Sequence, residues 1–291
     1  MQREPKTPFS VLIGKGRFLV LLAAVLWSLA GVFIKSLELH PLAIVFYRSL
    51  FAALFFSPFV RGKRWTFSLS LLVSAASYTA AISSFVWANK LTTAANAIVL
   101  QYTAPIFVFL FVRLFFREPI AKANLVTLIG GMMGVAVIFF GSAGQPDAEG
   151  VLVATMSGLL FSIYMTNLRF VKEVHPGYLT FVNNLACSLA LLPLVTSRLS
   201  ISSGELLALA VMGVVQLGIP YFLFSKGLET LSLQEASLIV LIEPVLNPIW
   251  VAIVVGEVPS SATLVGGGII LASLLLRYHR HHLQQAEDRE V

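Results

Sequence analysis

Ten apolar runs, each close to the length that crosses a bilayer, occupy almost the whole chain. They lie at 17–36, 41–60, 66–88, 92–115, 122–141, 150–170, 177–196, 205–226, 232–255 and 260–278. A helix needs about 20 mostly apolar residues to traverse the hydrocarbon. In lipid, backbone polar groups must be satisfied within the protein, which makes each run a helix rather than an irregular segment. The connections are too short for a water-soluble domain. The fold class expected is therefore an all-α integral membrane protein with ten transmembrane helices. Composition agrees: 57% of residues are hydrophobic and 12% charged, against about 25% charged in soluble domains. The first run is longer than the apolar part of a signal peptide, and no small-residue cleavage site follows it closely, so it is expected to stay as a span.

The net charge of +6 does not point to nucleic acid, because the basic residues are scattered among short loops. If the runs alternate across the membrane, sixteen of the 20 Lys and Arg residues fall on one side. Lys35, Lys90 and Arg198 fall on the other, and Arg48 lies within a run. Cytoplasmic loops carry the excess of Lys and Arg. The expectation is a multi-pass protein of the cell inner (plasma) membrane with both termini cytoplasmic. Trp65, Trp87 and Tyr278 lie near run ends and read as interface anchors.

The second constraint is an internal echo. The stretch from Leu91 to Gly134 recurs between Thr230 and Gly268. Pro105 matches Pro244 and Glu118 matches Glu257 at one offset, and Thr127 matches Thr263 before the glycine clusters. Earlier in each copy His40-Pro41 matches His175-Pro176, Phe46 matches Phe181, and Pro58 matches Pro193. Each copy holds five runs. An odd number reverses orientation, so the two copies face opposite ways, as inverted repeats of secondary transporters do. The organisation expected is a cytoplasmic N-tail at 1–16, a first five-helix repeat at 17–145, a second at 146–278 and a cytoplasmic C-tail at 279–291.

With these features the chain resembles the EamA-type branch of the drug/metabolite transporter superfamily. The segment EASLIVLIEPV at 235–245, the proline-containing fourth run, and Glu118 and Glu257 ahead of glycine clusters carry the likeness. The resemblance implies a central cavity lined by the first four helices of each half, with helices five and ten peripheral. It also implies transport of metabolites, by exporters of amino acids and related solutes or by uptake systems.

Polar groups at membrane depth are costly and mark candidate sites. Arg48, within the second run, suits a carboxylate because its guanidinium forks onto two oxygens. Glu243, in the ninth, suits an amine or a transported proton; its match in the first copy is Ala104. Arg48 matches Asn183. Pro105 and Pro244 remove a backbone donor and free the carbonyls of Gln101 and Val240, which makes them candidate hinges. Asn247-Pro248 reads as a second break. Gln101, Asn96, Asn183 and Asn247 are candidate polar contacts for substrate, and Trp27, Tyr78, Tyr102, Tyr164 and Tyr221 candidate aromatic lining. Glycines at 130, 134 and 266–268 read as close helix packing, and Glu118 and Glu257 as helix-start or loop residues.

No nucleophile–base pair, nucleotide loop or metal-ligand spacing is visible, and Cys187 is the single cysteine. GKG at 14–16 lacks the spacing of a phosphate-binding loop. The reading is a non-enzymatic secondary transporter without cofactor or metal. Its expected partners are a small molecule, the lipid bilayer and, as coupling ion, protons. The leading function is export of amino acids or related metabolites by alternating access. The alternative is uptake of a cationic or quaternary amine, and an intramembrane enzyme or scaffold is the remote third.

Overall fold

The computed structural model describes residues 15–60, 68–117, 122–142, 147–171, 174–196, 201–228, 231, 239–240 and 242–290. Among these residues every regular element is helical. The α-helices are α1 (Lys15–Ser28), α2 (Ala30–Ser36), α3 (Pro41–Phe56), α4 (Leu69–Leu91), α5 (Ala94–Gln101), α6 (Ala104–Phe116) and α7 (Lys122–Ser142). They continue with α8 (Ala148–Asn167), α9 (Pro176–Val195), α10 (Ser203–Val211), α11 (Ile219–Leu228), α12 (Glu243–Val255) and α13 (Ser261–Glu290).

Among the described residues, seven segments are long and apolar enough to cross a membrane. Shorter apolar helices, Ile129–Gly141, Glu243–Val255 and Ser261–Ser273, stand where the fifth, ninth and tenth spans are expected. Large apolar side chains such as Leu114, Phe115, Phe140, Leu207 and Ile253 point outward, the arrangement that suits lipid rather than water. Of the expected interface anchors, Trp87 is partly exposed against His40. Trp65 and the side chain of Tyr278 lie outside the described residues. The last helix does not stop at 278 but runs to Glu290, since neither Pro nor Gly interrupts the chain after Gly268.

The echo in sequence is an echo in local structure. His40 accepts a hydrogen bond from Leu42 N–H, and Pro41 opens α3. His175 accepts one from Gly177 N–H, and Pro176 opens α9. In both places a side-chain acceptor satisfies a donor at the helix start, while proline lacks the donor that would be orphaned there. The fourth helix of each copy ends in a left-handed residue just before its glutamate, Arg117 (φ 54°) and Gly256 (φ 79°).

Matched helices pack on one another and run antiparallel. In α3 and α9, Ser49 Oγ donates to Cys187 Sγ at 3.5 Å and Ser188 Oγ to the Phe46 carbonyl at 3.3 Å. Gly177, near the start of α9, abuts Phe59, just past the end of α3. In α7 and α13, Gly130 faces Ser273, Gly134 faces Gly266 and Gly141 faces Ala262. A Cβ on Gly134 would stand 2.5 Å from the Gly266 carbonyl oxygen, and one on Gly266 would stand 2.6 Å from that of Gly134. These glycines therefore join the two repeats, with the close backbone approach that small residues allow. Crossed pairs obey the same symmetry: α4 packs on α8 as α11 packs on α1. Helices α7 and α13 pack chiefly on each other, at the periphery of the bundle.

Breaks within the spans decide where backbone polar groups meet the interior. The fourth span divides after Gln101 and resumes at Ala104, with Pro105 in its first turn. The ninth resumes at Glu243, with Pro244 in its first turn. Two irregularities were not expected. The first span divides at Leu29, and the eighth contains a π-helical turn, Met212–Gly218. One expected break is absent. Pro248 rides inside α12 and leaves the Pro244 carbonyl without its helical donor.

Candidate functional site

The breaks of the fourth and ninth spans face each other across the repeat boundary. Tyr102, just after α5, directs its hydroxyl at the Glu243 carboxylate, 2.8 Å from Oε2, and lies 3.2 Å from the Val240 carbonyl. That carbonyl is the one Pro244 deprives of a helical donor, and the Tyr102 hydroxyl lies where the missing donor would serve. The matching residue Gln101 donates from Nε2 to Ser157 Oγ at 3.1 Å, and Ser157 donates to the Ala81 carbonyl at 3.2 Å. Pro105 itself is described only through the helix it opens.

Arg48 is 3% exposed on α3, and its Nε has no hydrogen-bond partner. Its electrostatic neighbours are Tyr78, Cys187 and Tyr221. No ion pair joins it to Glu243 or to any other carboxylate among the described residues. Asn183, its match on α9, is also buried. The Asn183 amide lies against Tyr164 without either of its atoms closing a hydrogen bond of ordinary geometry.

Aromatic side chains fill the space between. Tyr78 donates to Asn184 Oδ1 at 3.1 Å, and its ring lies 5.5 Å from that of Tyr164, which stacks on Phe161 at 5.7 Å. Trp27 meets Tyr221 edge-on at 5.2 Å and Phe224 at 5.4 Å. Tyr221 stands within electrostatic reach of both Arg48 and Glu243. The result is a buried cluster with a cation on the first repeat, a carboxylate on the second and tyrosines between them.

Two expected members lie elsewhere. Asn247 is wholly buried between α12 and the first span, donating to the Ser28 carbonyl at 3.0 Å beside Trp250 Nε1, which donates to Ser28 Oγ. Asn96 donates from Nδ2 to Thr92 Oγ1 at 2.8 Å and to Asp147 at 3.3 Å, and accepts from Thr263 Oγ1 at 2.6 Å.

Asn96 thus belongs to a second polar cluster that sequence reasoning did not assemble. Lys35 Nζ lies 2.6 Å from Glu257 Oε2 and donates to the Thr92 carbonyl at 2.7 Å. Glu257 Oε1 accepts from Ala94 N–H, at the start of α5, at 2.6 Å. Thr92 Oγ1 donates to Asp147 at 2.9 Å. The exact match of Glu257 to Glu118 was the available signal, and Glu118 lies outside the described residues. An open groove of about 400 Å³ is lined by Leu42, Ala80, Ser83, Ser84, Trp87, Glu149 and Val153, none of them a member of either cluster.

Comparison with known proteins sets this geometry in a family. Residues 14–140 and 148–278 each match the model of the EamA-like transporter family. An uncharacterized transporter of Archaeoglobus fulgidus is 30% identical, covering 90% of this chain and 96% of its own. The uncharacterized transporter YdfC of Bacillus subtilis is 27% identical over 65% of this chain and 64% of its own. A protein crystal structure, 18% identical, superposes with a TM-score of 0.64 over 90% of this chain and 96% of that one, and so has the same fold.

Proposed function

Because the chain belongs to the EamA-like transporter family, within the drug/metabolite transporter superfamily, we propose that it exports amino acids or related small metabolites by alternating access. The substrate binds between the repeats. Its amine takes the Glu243 carboxylate in place of the Tyr102 hydroxyl. Its carboxylate takes the Arg48 guanidinium, and Trp27, Tyr78, Tyr164 and Tyr221 enclose the rest. Gln101 and Asn183 offer further polar contacts. The observation that carries this reading is the buried Arg48, whose Nε has no hydrogen-bond partner and which pairs with no carboxylate among the described residues, with Tyr221 in electrostatic reach of both it and Glu243. Two opposite charges held apart on two halves fit a zwitterion better than they fit each other.

The turn at Tyr102 and Thr103 in the fourth span and the start of α12 at Glu243 support Pro105 and Pro244 as hinges, since rigid helices can reorient about such interruptions. The loop charge bias supports a plasma-membrane protein with its tails, 1–16 and 279–291, in the cytoplasm and its repeats at 17–145 and 146–278. Protons are the coupling ion in this reading, with Glu243 as carrier.

Transport into proteoliposomes tests it. A broad panel of amino acids, amines and apolar organic solutes is offered, and at least one amino acid is expected to move faster than in protein-free vesicles. No acceleration of any member refutes the proposal. Glu243 among tyrosines also favours one second reading, uptake of a quaternary amine in an aromatic cage. Acceleration confined to amines that lack a carboxylate selects it.

A further inference from the structure

The Lys35 cluster ties the repeats together at one face of the bundle. Lys35, Thr92, Ala94 and Asn96 belong to the first repeat, and Asp147, Glu257 and Thr263 to the second. Six contacts cross between them. Lys35 Nζ meets Glu257 Oε2, and Ala94 N–H donates to Glu257 Oε1. Thr92 Oγ1 and Asn96 Nδ2 donate to Asp147, and Thr263 Oγ1 donates to Asn96 Oδ1. A backbone contact completes the set, with Gly150 placed so that a Cβ would stand 2.6 Å from Thr92 N. Lys90 Nζ donates to the Leu37 carbonyl beside it and holds the end of the first span against α4.

The cluster also lies to one side of the chamber that the transport reading places between the repeats. Lys35 is eight residues beyond Trp27, and Ala94 eight before Tyr102, each roughly 12 Å of helix. Both runs end at the same carboxylate. Glu257 uses one oxygen for the ammonium and the other for the N-terminus of α5, where a helix dipole favours negative charge. The side chains of Lys35 and Glu257 keep 15% and 21% exposure. Water therefore reaches the bridge, and the bridge can open without stranding a charge in hydrocarbon.

We infer that this cluster is the gate that closes the chamber on the Lys35 face, with Glu257 as its latch. The inference rests on the transport reading, since a gate has meaning only for a site reached alternately from two faces. The structure holds the latch shut. Opening requires Glu257 to leave Lys35 and the α5 N-terminus together and Thr263 to leave Asn96, which frees the tip between α12 and α13 from these first-repeat partners. Asn96 and Asp147 are positioning residues in this device: they hold Thr92 and Thr263 in register across the seam.

Side-specific labelling tests the gate without any substrate. Gln101→Cys serves as reporter in a Cys187→Ser background, seven residues along α5 from Ala94. A membrane-impermeant thiol reagent is applied to oriented vesicles from each face in turn. Glu257→Gln, and separately Lys35→Met, should speed labelling from the Lys35 face by about tenfold or more and slow it from the opposite face, as expected when a charge-assisted bridge is lost from one of two states. Exchanging the charges, Lys35→Glu with Glu257→Lys, should return the rates part of the way, since the ion pair is restored but the helix N-terminus then faces a cation. Unchanged labelling from the Lys35 face overturns the gate. Equal acceleration from both faces also overturns it, because that marks general loosening. The assay needs no solute, so failure of the gate is read separately from failure of the proposed substrate class.

Discussion

Replacing Arg48 by Met separates a substrate ligand from a structural clamp. A cation at the centre of a membrane helix costs about 2.5–3.5 kcal/mol on insertion scales. Arg48 meets that cost at 3% exposure, with Nε unpaired and neutral tyrosines and a thiol around it. Methionine fills much of the same volume without charge. The ligand-free variant should then be more stable, by about 1–3 kcal/mol, since removing an uncompensated buried charge relieves desolvation. Binding should move the other way. A guanidinium–carboxylate hydrogen bond contributes about 1.5–3 kcal/mol, so losing the fork weakens affinity by about a hundredfold or more. Thermal unfolding of the purified protein reads both effects. An amino acid at 100 times its Kd stabilises the parent by about 2.7 kcal/mol. At a hundredfold weaker affinity the same concentration adds only about 0.4 kcal/mol. The decarboxylated amine should stabilise parent and variant alike. Loss of about 3–5 kcal/mol in the ligand-free Arg48→Met protein would be the signature of a broken clamp and would refute the assignment.

Four further substitutions have expected outcomes. Glu243→Gln should abolish the pH dependence of uptake while sparing solute exchange if Glu243 carries the proton; loss of all binding instead assigns it to the amine, and unchanged transport with unchanged pH dependence removes it from the site. Gly31→Ala should destabilise by about 1–3 kcal/mol, because its Cβ would stand 2.7 Å from Asn247 Oδ1 and 2.8 Å from Val251 Cγ2. Gly204→Ala, with nothing within 4 Å, should stabilise by about 0.4–1 kcal/mol, and the two melting curves moving the same way would contradict the packing described. Gly134→Ala should cost about 1–3 kcal/mol by pushing α7 from α13, with no change in the mass of the detergent-solubilised particle; a change in mass would move these glycines to an interface between chains.

What could be read in the sequence was periodic or repeated. Run length gave the seven long spans found among the described residues, and His-Pro pairs at one offset gave matching helix starts at Pro41 and Pro176. Pro105 and Pro244 marked breaks because proline acts on its own backbone, whatever surrounds it. Direction was harder. Asn96 stands five residues before Gln101, which turns it roughly 140° around the helix, away from the chamber and onto Thr263. Asn247 stands four after Glu243, on nearly the same side of α12, yet its neighbour there is the first span. Such choices depend on which helix lies opposite, and a single chain's local pattern does not contain that. The division at Leu29 has no proline or glycine at it; it coincides with Ser28, whose carbonyl and hydroxyl are taken by Asn247 and Trp250 from α12.

The contact between Tyr102 and Glu243 has no mirror image. By the repeat offset Tyr102 falls on Leu241 and Glu243 on Ala104, so the mirrored pair would be apolar. Arg48 falls on Asn183, so its charge also occurs once. Architecture is doubled while charge is single, with the cation in the first repeat and the carboxylate in the second. Any motion of one repeat against the other therefore changes the distance between them. A solute bearing one charge engages one half and leaves the other free. Under the proposed function, a zwitterion would engage both and become a strut whose length sets which arrangement of the repeats it favours. Amino acids with the amine on the α-carbon and those with it further along the chain should then differ in transport rate more than in affinity for either charge alone. Equal rates across such a series would mean that the two charges do not act on the solute together.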